Sequence, residues 1–308
     1  MGAVIRGTGS FLPDPTRHND EVAARVGVTA AWIVERTGIH ARHVAPDGMF
    51  TSDMAAAAGR RALEDAGWTP ADLDLVLVAT VSAEAPMPSA AARTAELLGA
   101  RCAALDVGAA CAGFVYGLGV AHGLIATGAA RRVLLIGAEL LSRWLDWDDR
   151  DTAVLFGDGA GAVALEADGG ERGVRAVRFG GDPSQREALT LRDGVIRMHG
   201  PRIYRLAVRQ VSAVSRAVCD AAGWSIDTID WVAPHQANAR VIDGISRRLG
   251  VPGDRVLVNI GRHGNTSAAS IPVALDEAAR DGRLQRGQRV IVSGLGAGLV
   301  WGAAALRW

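Results

Sequence analysis

Ala66-Gly67-Trp68 followed by Asp74-Leu75-Val76-Leu77-Val78 recurs, with the same internal spacing, as Ala222-Gly223-Trp224 followed by Asp230-Trp231-Val232-Ala233-Pro234. Further along, Arg132-Val133-Leu134-Leu135-Ile136-Gly137 returns as Arg289-Val290-Ile291-Val292-Ser293-Gly294, at almost the same offset of about half the chain. Two matches in register mark an internal duplication, which decides the fold before any single residue is interpreted. Each copy reads as an amphipathic helix, a Gly-Trp turn and an apolar run too short for a helix and bounded by breakers, the pattern of a buried parallel strand. In the second helix, Ile203, Leu206, Ala207, Val211, Val214, Val218 and Ala221 fall on one face. Strands alternating with helices predict an α/β protein whose sheets are covered on both sides, in two homologous halves over residues 1–166 and 167–308. The stretch from Asp168 to Arg202, rich in Gly, Asp and Arg, reads as a loop-bearing junction between them.

Composition narrows the function. With 49% hydrophobic and 21% charged residues, the 308-residue chain can bury a large interior and is not a disordered one. The 33 basic and 33 acidic residues cancel, so no global field would hold a nucleic acid or an anionic membrane. Every basic residue is Arg; the absence of Lys removes Schiff-base chemistry, pyridoxal-phosphate catalysis and lysine-dependent P-loops together. Cys102, Cys111 and Cys219 form no CxxC pair and are odd in number, which argues against a disulfide framework or thiolate zinc site and for a reducing, cytoplasmic setting. The opening Met1-Gly2-Ala3-Val4-Ile5-Arg6 lacks a secretory pattern, Arg6 stands where a myristoylation motif needs Ser or Thr, and no run approaches the ~20 apolar residues of a membrane span. No metal-ligand motif is visible, so no metal is expected.

Three segments carry chemistry. Ala103 to Val107 reads as a strand and Ala112 to Thr127 as a small-residue helix, which places Cys111 at a strand-to-helix turn. A thiol there feels the positive helix end, which favours thiolate, and free backbone N–H groups that can hold an oxyanion. The plainer reading is a buried structural cysteine. In Trp231 to Asn238 a buried strand ends in Pro and presents His235, and strand C-termini are where α/β folds keep their ligands. In Arg262 to Ser270 a breaker-rich loop exposes Asn265 just before a helix. The runs Gly157-x-Gly159-x-Gly161 and Gly294-x-Gly296-x-Gly298 lack dinucleotide-loop spacing and read as tight packing turns.

Taken together, the chain resembles β-ketoacyl-acyl carrier protein synthase III, a thiolase-fold condensing enzyme. The matches run nearly end to end: Gly7 to Pro13, Trp32 to Ile39, Ala109 to Phe114, Phe156 to Gly161, Pro234 to Asn238 and His263 to Ser270. The resemblance implies two duplicated βαβαβαββ halves in a five-layered αβαβα architecture. It implies that Cys111 takes an acyl group from acyl-CoA, and that His235 and Asn265 then face a malonyl thioester on acyl carrier protein. Loss of CO2 from that group builds an enolate oxyanion, which two neutral donors stabilise. The carbanion attacks the Cys111 thioester, whose own oxyanion the backbone N–H groups of Cys111 and Ala297 would hold. The resemblance further implies CoA contacts at Trp32, Arg36, Arg150 and Asn238, where Trp offers a stacking face and Arg a fork for phosphate. It implies carrier-protein docking along Gln236, Ala237, Asn238, Ala239 and Arg240, a homodimer, and no cofactor beyond the CoA thioester substrate.

Two departures bear on specificity. Met87 stands where family members often place a larger aromatic that crosses the dimer interface to close the acyl pocket, which suggests a roomier pocket and a longer or branched primer. The stretch from Asp182 to Gly200 is compressed. Rival readings keep the fold but change the acceptor, as in a non-elongating acyltransferase or a thiolase-like condensing enzyme. Another makes the chain a catalytically silent carrier-protein-binding partner, and a nicotinamide oxidoreductase is more remote.

Overall fold

A computed structural model describes residues 2–308; Met1 lies outside the described residues. In chain order the first half runs β1 (Gly2–Phe11), β2 (Thr16–His18), α1 (Asn19–Val26), α2 (Ala30–Thr37), β3 (Ala41–His43), α3 (Thr51–Ala66), β4 (Leu75–Ala79), α4 (Ala90–Leu98), β5 (Ala103–Val107), α5 (Gly113–Ala126), β6 (Arg132–Glu139) and β7 (Gly159–Asp168). The second runs β8 (Gly173–Gly181), β9 (Leu189–Arg192), β10 (Val195–Met198), α6 (Gly200–Ala221), β11 (Trp231–Pro234), α7 (Ala239–Leu249), α8 (Ile260–His263), α9 (Ser270–Arg280), β12 (Arg289–Gly296) and β13 (Val300–Arg307).

Two main sheets form, ordered β1-β7-β6-β4-β5 and β8-β13-β12-β11, beside the two-stranded pairs β2-β3 and β9-β10, and the repeated apolar runs are parallel strands of the main sheets: β4 pairs with β5 and β6, and β11 with β12. Every residue of β4 is buried, as expected of a strand covered on both faces. Helices α5 and α9 lie between the sheets, α3 and α4 cover the outside of the first, and α6, with α7 packed against it, covers that of the second. The result is the five-layered αβαβα arrangement of two duplicated halves.

The duplication extends to its caps. Gly67 and Gly223 both take φ near +70°, and Trp68 and Trp224 each donate a backbone N–H 2.9 Å to Leu63 and Cys219, closing the helix ends identically. The indole of Trp68 then lies under the Arg132 guanidinium at 4.9 Å and that of Trp224 under Arg289 at 5.4 Å. Asp74 and Asp230 accept the backbone N–H groups of Arg132 and Arg289 at 2.8 and 2.7 Å. The recurring Gly-Trp, Asp and Arg positions thus form one device that ties each helix end to its sheet.

Expectations are corrected at four points. Residues 168–202 are not a loop: they hold β8, which hydrogen-bonds β13 along its length, and the β9–β10 hairpin. Polar surface residues on an edge strand and a hairpin mimic loop composition. On α6, Ala207, Val211, Val214 and Val218 are buried but Ala221, in the last turn, is exposed. Gly159, Gly161, Gly294 and Gly296 lie within strands, not turns; a Cβ on Gly161 would come 2.6 Å from the Val273 backbone nitrogen. Gly161, Gly294 and Gly296 let a helix or turn of the other half approach a strand backbone. The boundary expected after residue 166 falls inside β7, which continues to Asp168.

Candidate active site

Cys111 sits in a tight turn, Ala110–Ala112, that follows β5 and leads into α5; Ala110 takes φ +45°, a conformation costly for a residue with a side chain. The turn is wedged against β12. A Cβ on Gly296 would lie 2.4 Å from the Ala109 carbonyl and 2.9 Å from the Cys111 nitrogen, and one on Gly294 would lie 3.1 Å from the Cys111 carbonyl. Only a bare strand backbone can support the nucleophile turn this closely. A second such turn, Ser267–Ala269, precedes α9, with Ser267 at φ +50°. It is the counterpart of the first in the other half, and the two turns meet at the centre of the molecule.

His235 directly follows β11 and is held by its backbone N–H, 2.7 Å from the Ser293 carbonyl. Its Nδ1 lies 2.7 Å from the Ser270 hydroxyl. Burial lowers its pKa to about 3, so the imidazole is neutral at physiological pH. Asn265 is fixed through its backbone to Leu155 (2.8 Å) and Gly157 (3.0 Å), and its Oδ1 accepts the Ser267 N–H at 2.9 Å. Because that N–H can only donate, the contact assigns the amide oxygen and leaves Nδ2 as the donor available to a ligand.

Cys111, His235 and Asn265 line one cavity of about 580 Å³. Burial pushes the Cys111 thiol up to about 12, against a Ser267 hydrogen bond and its own backbone N–H and with the Glu139 charge adding to the rise. This corrects the expected thiolate: removal from water outweighs the helix terminus.

The cavity opens past Trp32, Arg36 and Arg150, which also line it. Thr29 caps α2 by accepting the Trp32 N–H at 3.1 Å, and the Arg36 guanidinium lies 4.7 Å over the Trp32 ring. Asn238 caps α7, accepting the Arg240 N–H at 2.8 Å, and its Nδ2 reaches the Arg36 carbonyl at 3.2 Å. The compressed stretch contributes Leu189 and Met198 to the apolar wall, beside Ile203 and Val211 of α6.

The docking segment divides. Ala237, Asn238 and Arg240 line the cavity, Arg240 is exposed, and Ala239 is half-buried. Gln236 is corrected: it is wholly buried, its Nε2 donates to Pro234 and Leu257 (2.8 and 3.0 Å), and its Oε1 accepts from Asn259 and Ile260 (3.0 and 3.3 Å). All four of its hydrogen-bonding positions are spent on backbone, so it presents nothing to a partner. Ala297 is half-buried in the turn after Gly296 and outside the cavity lining. Met87 is 83% exposed and also outside it.

Ser267, Ser270 and Glu139 belong to the site but were not singled out from sequence. The two serines stood inside the quoted run without a role. Glu139, wholly buried at the end of β6, accepts from Thr80, Ser82 and Ser267 hydroxyls (3.2, 2.8 and 3.0 Å) and from the Val81 N–H (3.1 Å). No motif announces it. Among the described residues no group of His, Cys, Asp and Glu is placed to hold a metal, and no helix is long and apolar enough to cross a membrane.

The family described as 3-oxoacyl-[acyl-carrier-protein] synthase III matches residues 105–183, and its C-terminal region matches residues 219–308. The chain is 48% identical over 316 residues to the β-ketoacyl-[acyl-carrier-protein] synthase III of Sphingopyxis alaskensis, covering 99% of this chain and 98% of that protein. The 3-oxoacyl-[acyl-carrier-protein] synthase III of Aquifex aeolicus superposes with a TM-score of 0.98 at 41% identity over 100% of both chains. The priming β-ketosynthase of the R1128 polyketide pathway gives 0.94 at 35% identity, covering 99% of this chain and 95% of that one. The chain therefore belongs to the β-ketoacyl-[acyl-carrier-protein] synthase III family of acyl-transferring, thiolase-fold condensing enzymes.

Proposed function

We propose that the protein loads an acyl group from acyl-CoA onto Cys111 and condenses it with malonyl-acyl carrier protein, beginning a fatty acid or polyketide chain. The observation that carries this reading is the meeting of Cys111, His235 and Asn265, far apart in sequence, on one cavity. In the first half-reaction the Cys111 sulfur attacks the thioester carbonyl, the backbone N–H groups of Cys111 and Ala297 receive the oxyanion, and CoA departs. In the second, malonyl decarboxylation develops an enolate oxyanion that Asn265 Nδ2 and His235 Nε2 stabilise. A neutral imidazole suits this, since a donor is needed and no proton is abstracted. The Ser270 hydroxyl, donating to Nδ1, would keep the ring proton on Nε2.

Trp32 would stack on adenine, with Arg36 and Arg150 at the phosphates and Asn238 along the CoA arm. The pantetheine of either substrate would descend the apolar wall. Ala237, Asn238, Ala239 and Arg240 would meet the carrier protein, Arg240 supplying positive charge at the mouth. Residues 1–166 would supply the nucleophile half and 167–308 the His/Asn half. The only bound groups in this scheme are substrates, with no cofactor, and the setting is cytoplasmic.

A homodimer is supported by the free edge of β5, whose Leu105 is exposed, and by exposed Val81 and Met87 nearby in the chain. There Met87 would enter the partner's acyl pocket and admit a longer or branched primer.

The test is intact-protein mass after incubation with a panel of acyl-CoAs, followed by CO2 release from malonyl-acyl carrier protein. Wild type should gain one acyl mass and Cys111→Ala none. An unmodified wild type with every acyl-CoA would end the proposal.

A further inference from the structure

The site holds a buried acid that this scheme leaves idle. Glu139 Oε1 accepts the Ser267 hydroxyl at 3.0 Å, and Ser267 stands in the turn packed against the one that carries Cys111, where its hydroxyl acts to lower the proton affinity of the thiol. Its Oε2 accepts Thr80, Val81 and Ser82. All four contacts donate to the carboxylate, so the fold holds a buried carboxylate that can accept a proton by way of one hydroxyl. His235, which lines the cavity beside Cys111, is buried in a neutral form and is a poor acceptor.

We propose that Glu139, acting through the Ser267 hydroxyl, receives the Cys111 thiol proton as the acyl group is loaded and returns it when the thiolate is released. As the Cys111 sulfur–carbon bond forms, its S–H proton moves to Ser267 Oγ, whose own proton moves to Glu139 Oε1. The CoA sulfur–carbon bond breaks, and the CoA thiolate takes a proton from solvent. In the second half-reaction the malonyl carbon–carboxylate bond breaks, its electron pair forms the new carbon–carbon bond, and the Cys111 thioester bond breaks. Glu139 then passes its proton back through Ser267 to the Cys111 thiolate. The cycle consumes one proton, from solvent, and leaves Glu139 ionised as it began.

Burial raises the Glu139 carboxyl to about 7 despite its hydrogen bonds to Ser82, Val81, Ser267 and Thr80. That places it where a group can both accept and return a proton at neutral pH. The side chains hydrogen-bonded to it are hydroxyls from the segment after β4 and the turn before α9; the titratable neighbour is Cys111, from the turn before α5.

Glu139 is thus a positioning residue that acts through Ser267, and the inference rests on the acylation of Cys111 proposed above. The test is single-turnover acylation, followed by intact mass between about pH 5.5 and 9. Wild type should show a rate rising through an inflection near neutrality. Glu139→Gln, which keeps the volume, should lose about 100-fold at neutral pH together with that inflection. Glu139→Asp should recover part of both, and Ser267→Ala should repeat the Gln phenotype. Wild-type rate and pH profile in Glu139→Gln would overturn the proposal, as would a loss equal at every pH. If Glu139→Gln fails to fold, the absence of an inflection in wild type, or its survival in Ser267→Ala, would do the same. A wild type that no acyl-CoA modifies would instead refute the acylation reading itself.

Discussion

Ser270, the first residue of α9, places its hydroxyl 2.7 Å from Nδ1 of His235 while accepting the backbone N–H of Gln236 at 3.2 Å. The same side chain therefore anchors both the ring and the backbone that carries it. Ser270→Ala is expected to leave acylation of Cys111 unchanged and to slow decarboxylation by pre-acylated enzyme about 10-fold, the scale of losing one orienting hydrogen bond. Because the imidazole stays neutral down to about pH 3, imidazole protonation should add no acid limb to decarboxylation above about pH 4. Rapid-quench CO2 release across pH checks both.

Asn265 offers its Nδ2 to the cavity because Ser267 occupies its Oδ1. Asn265→Ala is expected to lose roughly 100- to 1,000-fold in CO2 release, the usual consequence of deleting one oxyanion donor, with acyl loading retained. Comparing acyl mass with CO2 release in the same variant separates the half-reactions. Equal loss of both would place Asn265 outside the assigned role.

Gly296 supports the nucleophile turn by having no side chain. A methyl group there would stand 2.4 Å from the Ala109 carbonyl and 2.9 Å from the Cys111 nitrogen, forcing the turn away from β12. Gly296→Ala should destabilise by about 1–3 kcal/mol in urea unfolding and depress acylation more than stability alone explains. Gly253→Ala, where a Cβ meets nothing within 4 Å, is the control and should change stability by less than about 0.5 kcal/mol.

Glu277 joins the active-site loop to α9. Burial pushes its carboxyl up, but hydrogen bonds from His263, Asn259 and Arg262 outweigh this and hold it near 2, below the ordinary 4.5. A depressed folded-state value means stability that is present above the unfolded value and lost as pH falls through the folded one. The wild type should therefore lose about 3 kcal/mol from this group between roughly pH 4.5 and 2. Glu277→Gln should be less stable at neutral pH and lack this component of the acid transition, as measured by urea unfolding at several pH values.

The duplicated pattern was legible because it is local. The apolar runs at Leu75 and Trp231, the Gly-Trp caps and the strand-to-turn placement of Cys111 depend on neighbours a few residues away, and each stands where the repeat put it. The segment before α6 was misread because β8 is defined by its partner β13, which begins more than a hundred residues later. Gln236 was misread for a related reason: a polar residue in a motif looks available until its four backbone partners are seen.

By itself the sequence determined the α/β duplication, the family and the three side chains on which the proposed chemistry rests, because periodicity, turn residues and short motifs are written along the chain. The tertiary structure decided how those side chains are poised. Burial of the thiol and imidazole, the Ser267 hydroxyl bonded to Glu139, and the bare glycines under the nucleophile turn arise only when the two halves pack face to face. Proton affinity and close backbone approach depend on what surrounds an atom in space, and a linear pattern does not encode that surrounding.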